Sequence, residues 1–358
     1  MKALVIGHGA SGRAAEAALS SRGFEVDVAD GYDLVVASPG VRVVSELQYG
    51  VELLKGRGAR LLAVTGSKGK SSVVKLVADA LALAGLRAVP CGNYGLPVSE
   101  VGECDWAVVE VSSFQMETTN LQPDAFEAAT VLNLQEDHLD RHGSVAAYHA
   151  LKKRLLTMAK KAVSPSDGAD GAALLAGSYF DNDVLRPNGF AAIALMRAAG
   201  LGDAQVAEAF RRFVPLPHRM EEVGVFRGVR CVDDSKATSL AALAAGVEMA
   251  GRGVRLVAGG RAKGDDPIFV KSLLTNRVKK VYLIGECSET FSKAWAGSVD
   301  CEVCGTMERA VERAFADAES GDTLLLSPGA ASFDQFKNFG ERGEVFARLV
   351  KKEGQKKK

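Results

Sequence analysis

A glycine-rich turn between an apolar strand and a helix constrains this chain more than any other feature. The turn spans 65–72 and reads Thr-Gly-Ser-Lys-Gly-Lys-Ser-Ser. The apolar run at 61–64 predicts a buried strand before it, and apolar residues at helical spacing follow it until Gly85. Such a turn directs backbone N–H groups and the positive end of the helix dipole toward one point. The pattern therefore predicts a phosphate-binding loop within an α/β sheet.

The side chains of this loop are suited to ATP and Mg²⁺. Lys70 would reach the terminal phosphates, and the Ser71 hydroxyl would ligate Mg²⁺. The match to GxxxxGK[ST] is incomplete because Val64 stands where the first glycine falls. The alternative is an ordinary glycine- and serine-rich turn. The residues that we expect to bind the nucleotide here are Gly66, Ser67, Lys68, Gly69, Lys70, Ser71 and Ser72.

Composition excludes several classes of partner. The chain has 358 residues, enough for two or three domains, and Lys+Arg and Asp+Glu are both 44. We therefore expect no nucleic-acid partner. No apolar run approaches the roughly 18 residues of a membrane helix, so we expect no membrane partner. The six scattered cysteines, in a chain that enters a strand at Lys2, predict reduced thiols in the cytoplasm, and we expect a monomer. The CxxC of Cys301 and Cys304 is interpreted as coincidence.

Short β-branched runs alternate with Ala/Leu-rich helical stretches, which predicts an α/β fold with parallel sheets. We expect three domains. Residues 1–60 would form a short Rossmann-like domain, and 61–215 a central P-loop-type ATPase domain with a parallel-rich sheet. Residues 216–358 would form a C-terminal Rossmann-like domain. Pro215 and Pro217 are typical of a stiff hinge between the last two.

The N-terminus carries a dinucleotide-type fingerprint. Glycines in a GxGxxG pattern at 7–12 follow a strand at 3–6, and Asp30 comes about twenty residues later. Taken alone, this pattern favours an NAD-dependent oxidoreductase. A further strand is predicted at 33–37, but the segment ends near residue 60, which is very short for a full dinucleotide-binding domain.

Polar side chains follow the strands of the second segment at their carboxyl ends, where α/β sheets place ligands. Glu110 ends a strand at 106–111, and His138 lies in the loop 133–141 after the next strand. We expect both to face the phosphates held by Lys70 and to ligate Mg²⁺. For His138 alone, a solvated or capping role is the alternative.

Lysines and hydroxyls also follow three strands of the third segment, at 233–238, 259–263 and 327–339. Each could be an ordinary surface loop. Together at one sheet edge they predict a second substrate that carries carboxylates.

With these motifs in place, the chain resembles the Mur ligases, the ATP-dependent amino-acid ligases of peptidoglycan synthesis. The resemblance runs from the first glycines to Phe346. The segment Phe-Asp-Gln-Phe-Lys-Asn-Phe at 333–339 is typical of the branch that adds D-glutamate. In this family the phosphate loop has a shorter Gly-x-x-Gly-Lys-Ser form, although Lys68 stands where asparagine is usual. The motifs that carry the resemblance are 65–72, 92–97, 110–115, 133–141, 217–219, 233–238 and 332–339.

The resemblance implies a role for residues in all three segments. It makes the GxGxxG a UDP site rather than an NAD site. The UDP end of UDP-N-acetylmuramoyl-L-alanine would contact Ala10, Ser11, Asp30 and Gly40, and its muramoyl part Asn93 and His138. The nucleotide would also contact Asn188, Arg219 and Asp234. D-Glutamate would contact Lys236, Thr238, Lys263, Ser332 and Phe339.

The resemblance further implies a carbamylated lysine. Tyr148 and Lys152 have the family's Tyr-x-x-x-Lys spacing. Addition of CO₂ to the neutral amine would give an anionic carbamate, which can ligate a second Mg²⁺. The alternative is a helix-surface lysine. The expected catalytic residues are Lys70, Glu110, His138 and Lys152, and the expected metal ligands are Ser71, Glu110, His138 and carbamylated Lys152.

The implied chemistry passes the γ-phosphoryl group of ATP to the L-alanine carboxylate, and the D-glutamate amine then displaces phosphate. Three alternatives stay open. The chain could be a related ligase for another amino acid, a non-catalytic nucleotide-binding relative with a shortened first domain, or an NAD-dependent oxidoreductase.

Overall fold

In the computed structural model, the described residues are 2–7, 9–30, 43–136, 138–262, 264 and 266–356. The chain divides into two compact units, Met1–Val214 and Pro215–Lys358. The strand expected at 33–37 and the expected site residues Gly40 and Lys263 lie outside the described residues.

The first unit begins with two parallel strands, β1 (Lys2–Ile6) and β2 (Glu25–Ala29), joined by helix α1 (Ala10–Ser20). Helix α2 (Glu46–Gly56) follows. A Cβ on Gly12 would lie 1.8 Å from the carbonyl oxygen of Gly7, so only glycine allows α1 to start this close to β1.

The larger sheet of the first unit is entirely parallel. Its elements are β3 (Arg60–Thr65), α3 (Lys70–Leu83), β4 (Ala88–Gly92), β5 (Trp106–Glu110), α4 (Ser113–Thr118), β6 (Phe126–Val131), α5 (Leu139–His142), α6 (Val145–Arg154), β7 (Ala159–Val163), α7 (Arg186–Ala198) and α8 (Asp203–Arg212). The strand order is β4-β5-β3-β6-β7. Alternate side chains of β3 pack into separate apolar layers on the two faces of the sheet, and every residue of this strand after Arg60 is buried. The loop after β3 consequently starts between the carboxyl ends of β5 and β6.

The second unit contains a six-stranded sheet in the order β12-β11-β10-β13-β9-β8. Its elements are β8 (Glu221–Phe226), β9 (Val229–Asp233), α9 (Leu240–Ala250), β10 (Val254–Gly259), α10 (Lys271–Arg277), β11 (Val278–Ile284), α11 (Ser288–Trp295), β12 (Asp300–Gly305), α12 (Met307–Asp317), β13 (Thr323–Leu326) and α13 (Phe339–Gln355). Only β8 runs antiparallel to its neighbour among the described strands. Because β13 lies between β10 and β9, the polar loops after these three strands begin side by side, at the carboxyl ends of the strands.

The predicted α/β fold with parallel-rich sheets is confirmed. The strands that sequence reasoning missed are β4, β7, β8 and β12, and all four lie at a sheet edge. Edge strands face solvent on one side, so they lack the continuous apolar runs of buried parallel strands. Strand β4 even contains Pro90, which an edge tolerates because one row of its backbone N–H groups is unpaired.

Among the described residues, no helix combines the length and apolar character needed to cross a membrane. All six cysteines have free thiols.

Candidate functional site

The glycine-rich loop of the first unit packs tightly against two neighbouring segments. Gly69 has φ +84°, and a Cβ at this position would lie 2.2 Å from Nδ2 of Asn188 on α7. A Cβ on Gly66, which has φ +148°, would lie 3.0 Å from Cβ of Leu132. Both positions therefore require glycine, for space as well as for backbone conformation. The loop sequence is adapted to this close approach.

Asn133 holds the backbone of the loop in place. Its Oδ1 accepts a hydrogen bond from Lys68 N at 2.8 Å, and its Nδ2 donates to Lys68 O at 2.9 Å. The same Nδ2 lies 3.4 Å from Oδ1 of Asn188, and Ser67 N donates to Asn133 O at 2.9 Å. Sequence analysis gave Asn133 no role. Its place directly after β6, next to β3, is the signal that could have identified it.

Two lysine side chains converge on the same carbonyl group. Lys70 Nζ donates to Gly66 O at 3.0 Å and to Ser67 O at 3.3 Å. Lys152 Nζ also donates to Gly66 O at 3.0 Å, although the two residues are 86 positions apart. The structure thus brings two expected catalytic residues to one end of the phosphate loop.

Lys152 is buried, with 2% of its surface exposed, so the helix-surface alternative is wrong. Its Nζ lies 4.7 Å from the ring centroid of Tyr148, one turn earlier on α6. The Tyr148 hydroxyl lies 3.1 Å from Ser67 Oγ. Tyr148 therefore links the expected carbamylation site to the phosphate loop.

Glu110 presents a buried carboxylate at the end of β5. Its Oε1 accepts a hydrogen bond from Asn93 Nδ2 at 2.8 Å, but its Oε2 has no hydrogen-bond partner among the described residues. A buried carboxylate oxygen without a partner is costly, and a bound cation would remove that cost. Carboxylate and hydroxyl oxygens are ligands that Mg²⁺ prefers. The residues present therefore fit a magnesium site at Glu110.

His138 packs against aromatic side chains near the phosphate loop. Its backbone has φ +54°, its side chain is exposed, and its ring centroid lies 4.8 Å from that of Phe114. The Tyr148 ring is 6.3 Å away. Through Tyr148, His138 is a near neighbour of Ser67 and Lys152.

The residues expected at the UDP site lie at the carboxyl ends of β1 and β2. Ala10 and Ser11 form the first turn of α1, and Asp30 directly follows β2. All three are exposed. The structure therefore gathers the described members of this group at one end of the small sheet.

In the second unit, Asp234 is a buried acid between two loops. Its Oδ2 accepts a hydrogen bond from Ser327 Oγ at 2.9 Å, and its Oδ1 accepts one from Met220 N at 3.3 Å. Burial raises the pKa of Asp234 to about 7, and the adjacent charge of Asp233 acts in the same direction. Asp234 therefore changes charge close to neutral pH.

Two residues expected to bind D-glutamate contact each other. Lys236 Nζ lies 3.8 Å from the ring centroid of Phe339, and Thr238 N donates to Lys236 O at 2.8 Å. Ser332 is buried in the loop after β13. A lysine held over an aromatic face keeps its charge available to a carboxylate.

Sequence analysis assigned no role to Arg342 or to His218. Arg342 is fully buried, and it donates to Ser235 O at 2.8 Å, to Ser235 Oγ at 3.0 Å and to Ala330 O at 3.1 Å. Burial lowers the pKa of Arg342 to about 10. His218 Nδ1 lies 2.7 Å from Asp233 Oδ2, next to the expected nucleotide residue Arg219. These contacts join segments that are far apart in sequence, so no local pattern could have indicated them.

Parallel sheets with a phosphate loop and clustered lysines are typical of nucleotide-dependent α/β enzymes. Comparison with known proteins identifies the family. The profile of the Mur ligase middle domain matches residues 64–178, and that of the Mur ligase glutamate ligase domain matches residues 218–329. The chain belongs to the Mur ligase family.

Its relatives include enzymes named UDP-N-acetylmuramoylalanine--D-glutamate ligase. The one from Gloeobacter violaceus is 36% identical over 377 positions, which cover 88% of this chain and 84% of the relative. The one from Acidobacterium capsulatum is 32% identical over 447 positions, covering 98% and 96% respectively. That alignment is longer than this chain, so the relative carries internal residues that have no counterpart here.

Among solved structures, MurF ligase from Thermotoga maritima in complex with ADP resembles the fold. Its TM-score is 0.63 at 17% identity, with 99% of this chain and 95% of that chain covered. At this identity the similarity concerns the fold alone.

Proposed function

We propose that this chain is an ATP-dependent ligase that adds D-glutamate to UDP-N-acetylmuramoyl-L-alanine in peptidoglycan synthesis. The observation that carries the proposal is the 36% identity to a D-glutamate ligase over 88% of the chain. The site in the first unit supports it because a phosphate loop, two lysines and a buried carboxylate lie together there. The proposed roles of the other expected site residues follow from this assignment.

The first step transfers the γ-phosphoryl group of ATP to the L-alanine carboxylate, which yields an acyl phosphate and ADP. The backbone N–H groups at 69–72, where α3 begins, bind the phosphates, and Lys70 neutralises the charge that develops on them. In the second step the amine of D-glutamate attacks the activated carbonyl, an amide bond forms, and phosphate leaves. Asn188, Arg219 and Asp234 bind the remainder of the nucleotide.

Mg²⁺ would be held by Ser71, Glu110 and His138, and a second ion by carbamylated Lys152. When bound, it supplies positive charge to the phosphate oxygens. The buried position of Lys152 beside Gly66 supports carbamylation, because the amine is shielded from water next to the phosphate loop. The modification joins the amine nitrogen to CO₂ and releases one proton.

Substrate binding is assigned to two further groups. The UDP part contacts Ala10, Ser11, Asp30 and Gly40, and the muramoyl part contacts Asn93 and His138. D-Glutamate contacts Lys236, Thr238, Lys263, Ser332 and Phe339. We further propose the three-domain division 1–60, 61–215 and 216–358, and a monomer that acts in the cytoplasm.

The decisive experiment measures phosphate release from ATP by the purified protein with UDP-N-acetylmuramoyl-L-alanine and one amino acid at a time. D-Glutamate, L-alanine, meso-diaminopimelate and L-lysine are compared. Release only with D-glutamate is expected. A strict preference for another amino acid would overturn the substrate assignment, and ATP binding without release for any acceptor would identify a non-catalytic relative.

A further inference from the structure

Helix α5 is a single turn whose placement depends on side-chain contacts. It comprises Leu139–His142, and one helical turn has little stability of its own in water. The carbonyl oxygen of His138 accepts hydrogen bonds from Arg141 N at 3.1 Å and from His142 N at 3.0 Å. The backbone of His138 is therefore attached to this turn, and whatever anchors α5 also fixes His138.

One carboxylate anchors both residues at the end of α5. Glu117 on α4 accepts two hydrogen bonds from Arg141, with Nε to Oε1 at 3.1 Å and Nη2 to Oε2 at 2.7 Å. Nδ1 of His142 lies 3.3 Å from the same Oε1. These contacts use both oxygens of Glu117, a geometry that a flexible surface ion pair rarely keeps.

The His142 ring completes the connection to α4. Its side chain is 2% exposed, and its Nε2 lies 3.0 Å from Ser113 Oγ. Ser113 opens α4 only three positions after Glu110, the buried carboxylate at the end of β5. The chain Ser113–His142–Glu117 therefore ties α5 to the segment that follows the expected metal ligand.

The charges agree with this geometry. Hydrogen bonds from Arg141 lower the pKa of Glu117, and the charges of Arg141 and His142 act in the same direction. Glu117 is thus anionic at neutral pH and attracts both partners. The ring of Phe114 packs against both histidines, with its centroid 4.8 Å from that of His138 and 5.5 Å from that of His142.

We propose that Glu117 is a positioning residue, which holds α5 against α4 and thereby fixes His138 beside the magnesium site. The inference rests on the proposed function, because His138 acts as a ligand only there. Glu117 touches neither nucleotide nor substrate in this role. Its removal should weaken metal binding while the binding of D-glutamate stays unchanged.

Two variants and a matched control test the proposal. Glu117→Gln removes the charge, and Arg141→Met removes the partner, whose side chain is 60% exposed. The control is Glu127→Gln, because Glu127 is 26% exposed against 25% for Glu117 and pairs with a single lysine, Lys160, at 2.7 Å. The readouts are Mn²⁺ affinity by electron paramagnetic resonance with ADP present, melting temperature, and the Michaelis constants for Mg²⁺ and D-glutamate.

We expect Glu117→Gln and Arg141→Met each to weaken Mn²⁺ binding by roughly 10-fold or more, the range for residues that orient metal ligands. The double variant should be no weaker than the worse single variant, because both changes break the same contact. The Michaelis constant for D-glutamate should not change, and Glu127→Gln should match the parent.

Parent-like Mn²⁺ affinity in both single variants would overturn the proposal. If Glu117→Gln fails to fold, Arg141→Met decides the question, since its side chain lies largely in solvent. The Mn²⁺ measurement needs no turnover, so the positioning role and the proposed function are tested separately. An inactive parent would refute the proposed function. Unchanged Mn²⁺ affinity in the variants would refute the positioning role.

Discussion

Replacement of Gly69 by alanine tests whether the phosphate loop depends on the close approach of Asn188. Gly69 has φ +84°, and a Cβ there would lie 2.2 Å from Asn188 Nδ2. Gly85, just past the other end of α3, has φ +85°, and a Cβ there would have no atom within 4 Å. Gly85→Ala therefore carries the backbone cost alone, whereas Gly69→Ala also displaces the buried amide.

The magnitudes of the two effects can be separated. A side chain in the left-handed region costs about 1 kcal/mol. Overpacking at a filled position adds about 1–3 kcal/mol. We therefore expect Gly85→Ala to lower the free energy of unfolding by about 1 kcal/mol and Gly69→Ala to lower it by about 3 kcal/mol. The displaced Asn188 should also weaken ADP binding in Gly69→Ala but not in Gly85→Ala.

The two tryptophans allow the first unit to be observed by itself. Trp106 lies in β5 and Trp295 at the end of α11, one in each unit. In a Trp295→Phe background, Trp106 fluorescence during urea unfolding reports on the first unit only, and titration calorimetry gives the ADP affinity. If both glycine variants lose the same stability and bind ADP equally, Asn188 does not constrain the loop, and the reasoning is refuted.

Three further predictions concern single side chains. Lys152→Ala should lower phosphate release by roughly 10–100-fold, with partial recovery in short carboxylates, and full activity in this variant would refute the carbamate. Because the pKa of Asp234 is raised to about 7, the folded protein keeps a proton that the unfolded chain releases above about pH 4. Stability of the second unit should therefore fall by about 3 kcal/mol as pH rises from 5 to 8, and the fall should be much smaller in Asp234→Asn, with both proteins followed by Trp295 fluorescence in a Trp106→Phe background. Lys68→Asn keeps the backbone bonds to Asn133, so unfolding should be unchanged while ADP affinity falls in a salt-dependent manner; unchanged affinity would place the Lys68 side chain away from the phosphates.

Much of the site could be located from the sequence because strand ends and glycine patterns are local signals. The loop after β3, Glu110 at the end of β5 and Asp234 after β9 all follow runs of apolar residues that a reader can recognise. Interior strands were found for the same reason. Edge strands such as β7, with Lys160 and Lys161 in solvent, lack that signal. The anchoring role of Glu117 also lacks one, since its partners lie on another element.

The sequence by itself determined the class of fold, the position of the phosphate loop and the family, because each depends on residues that are close together in the chain or follow one another in fixed order. Only the tertiary structure decided that Lys152 is buried against Gly66, that Asn188 approaches Gly69, and that one oxygen of Glu110 has no partner among the described residues. These facts depend on how elements pack across long separations in the chain. Packing of that kind is set by the summed contacts of the whole core, and no short segment encodes it.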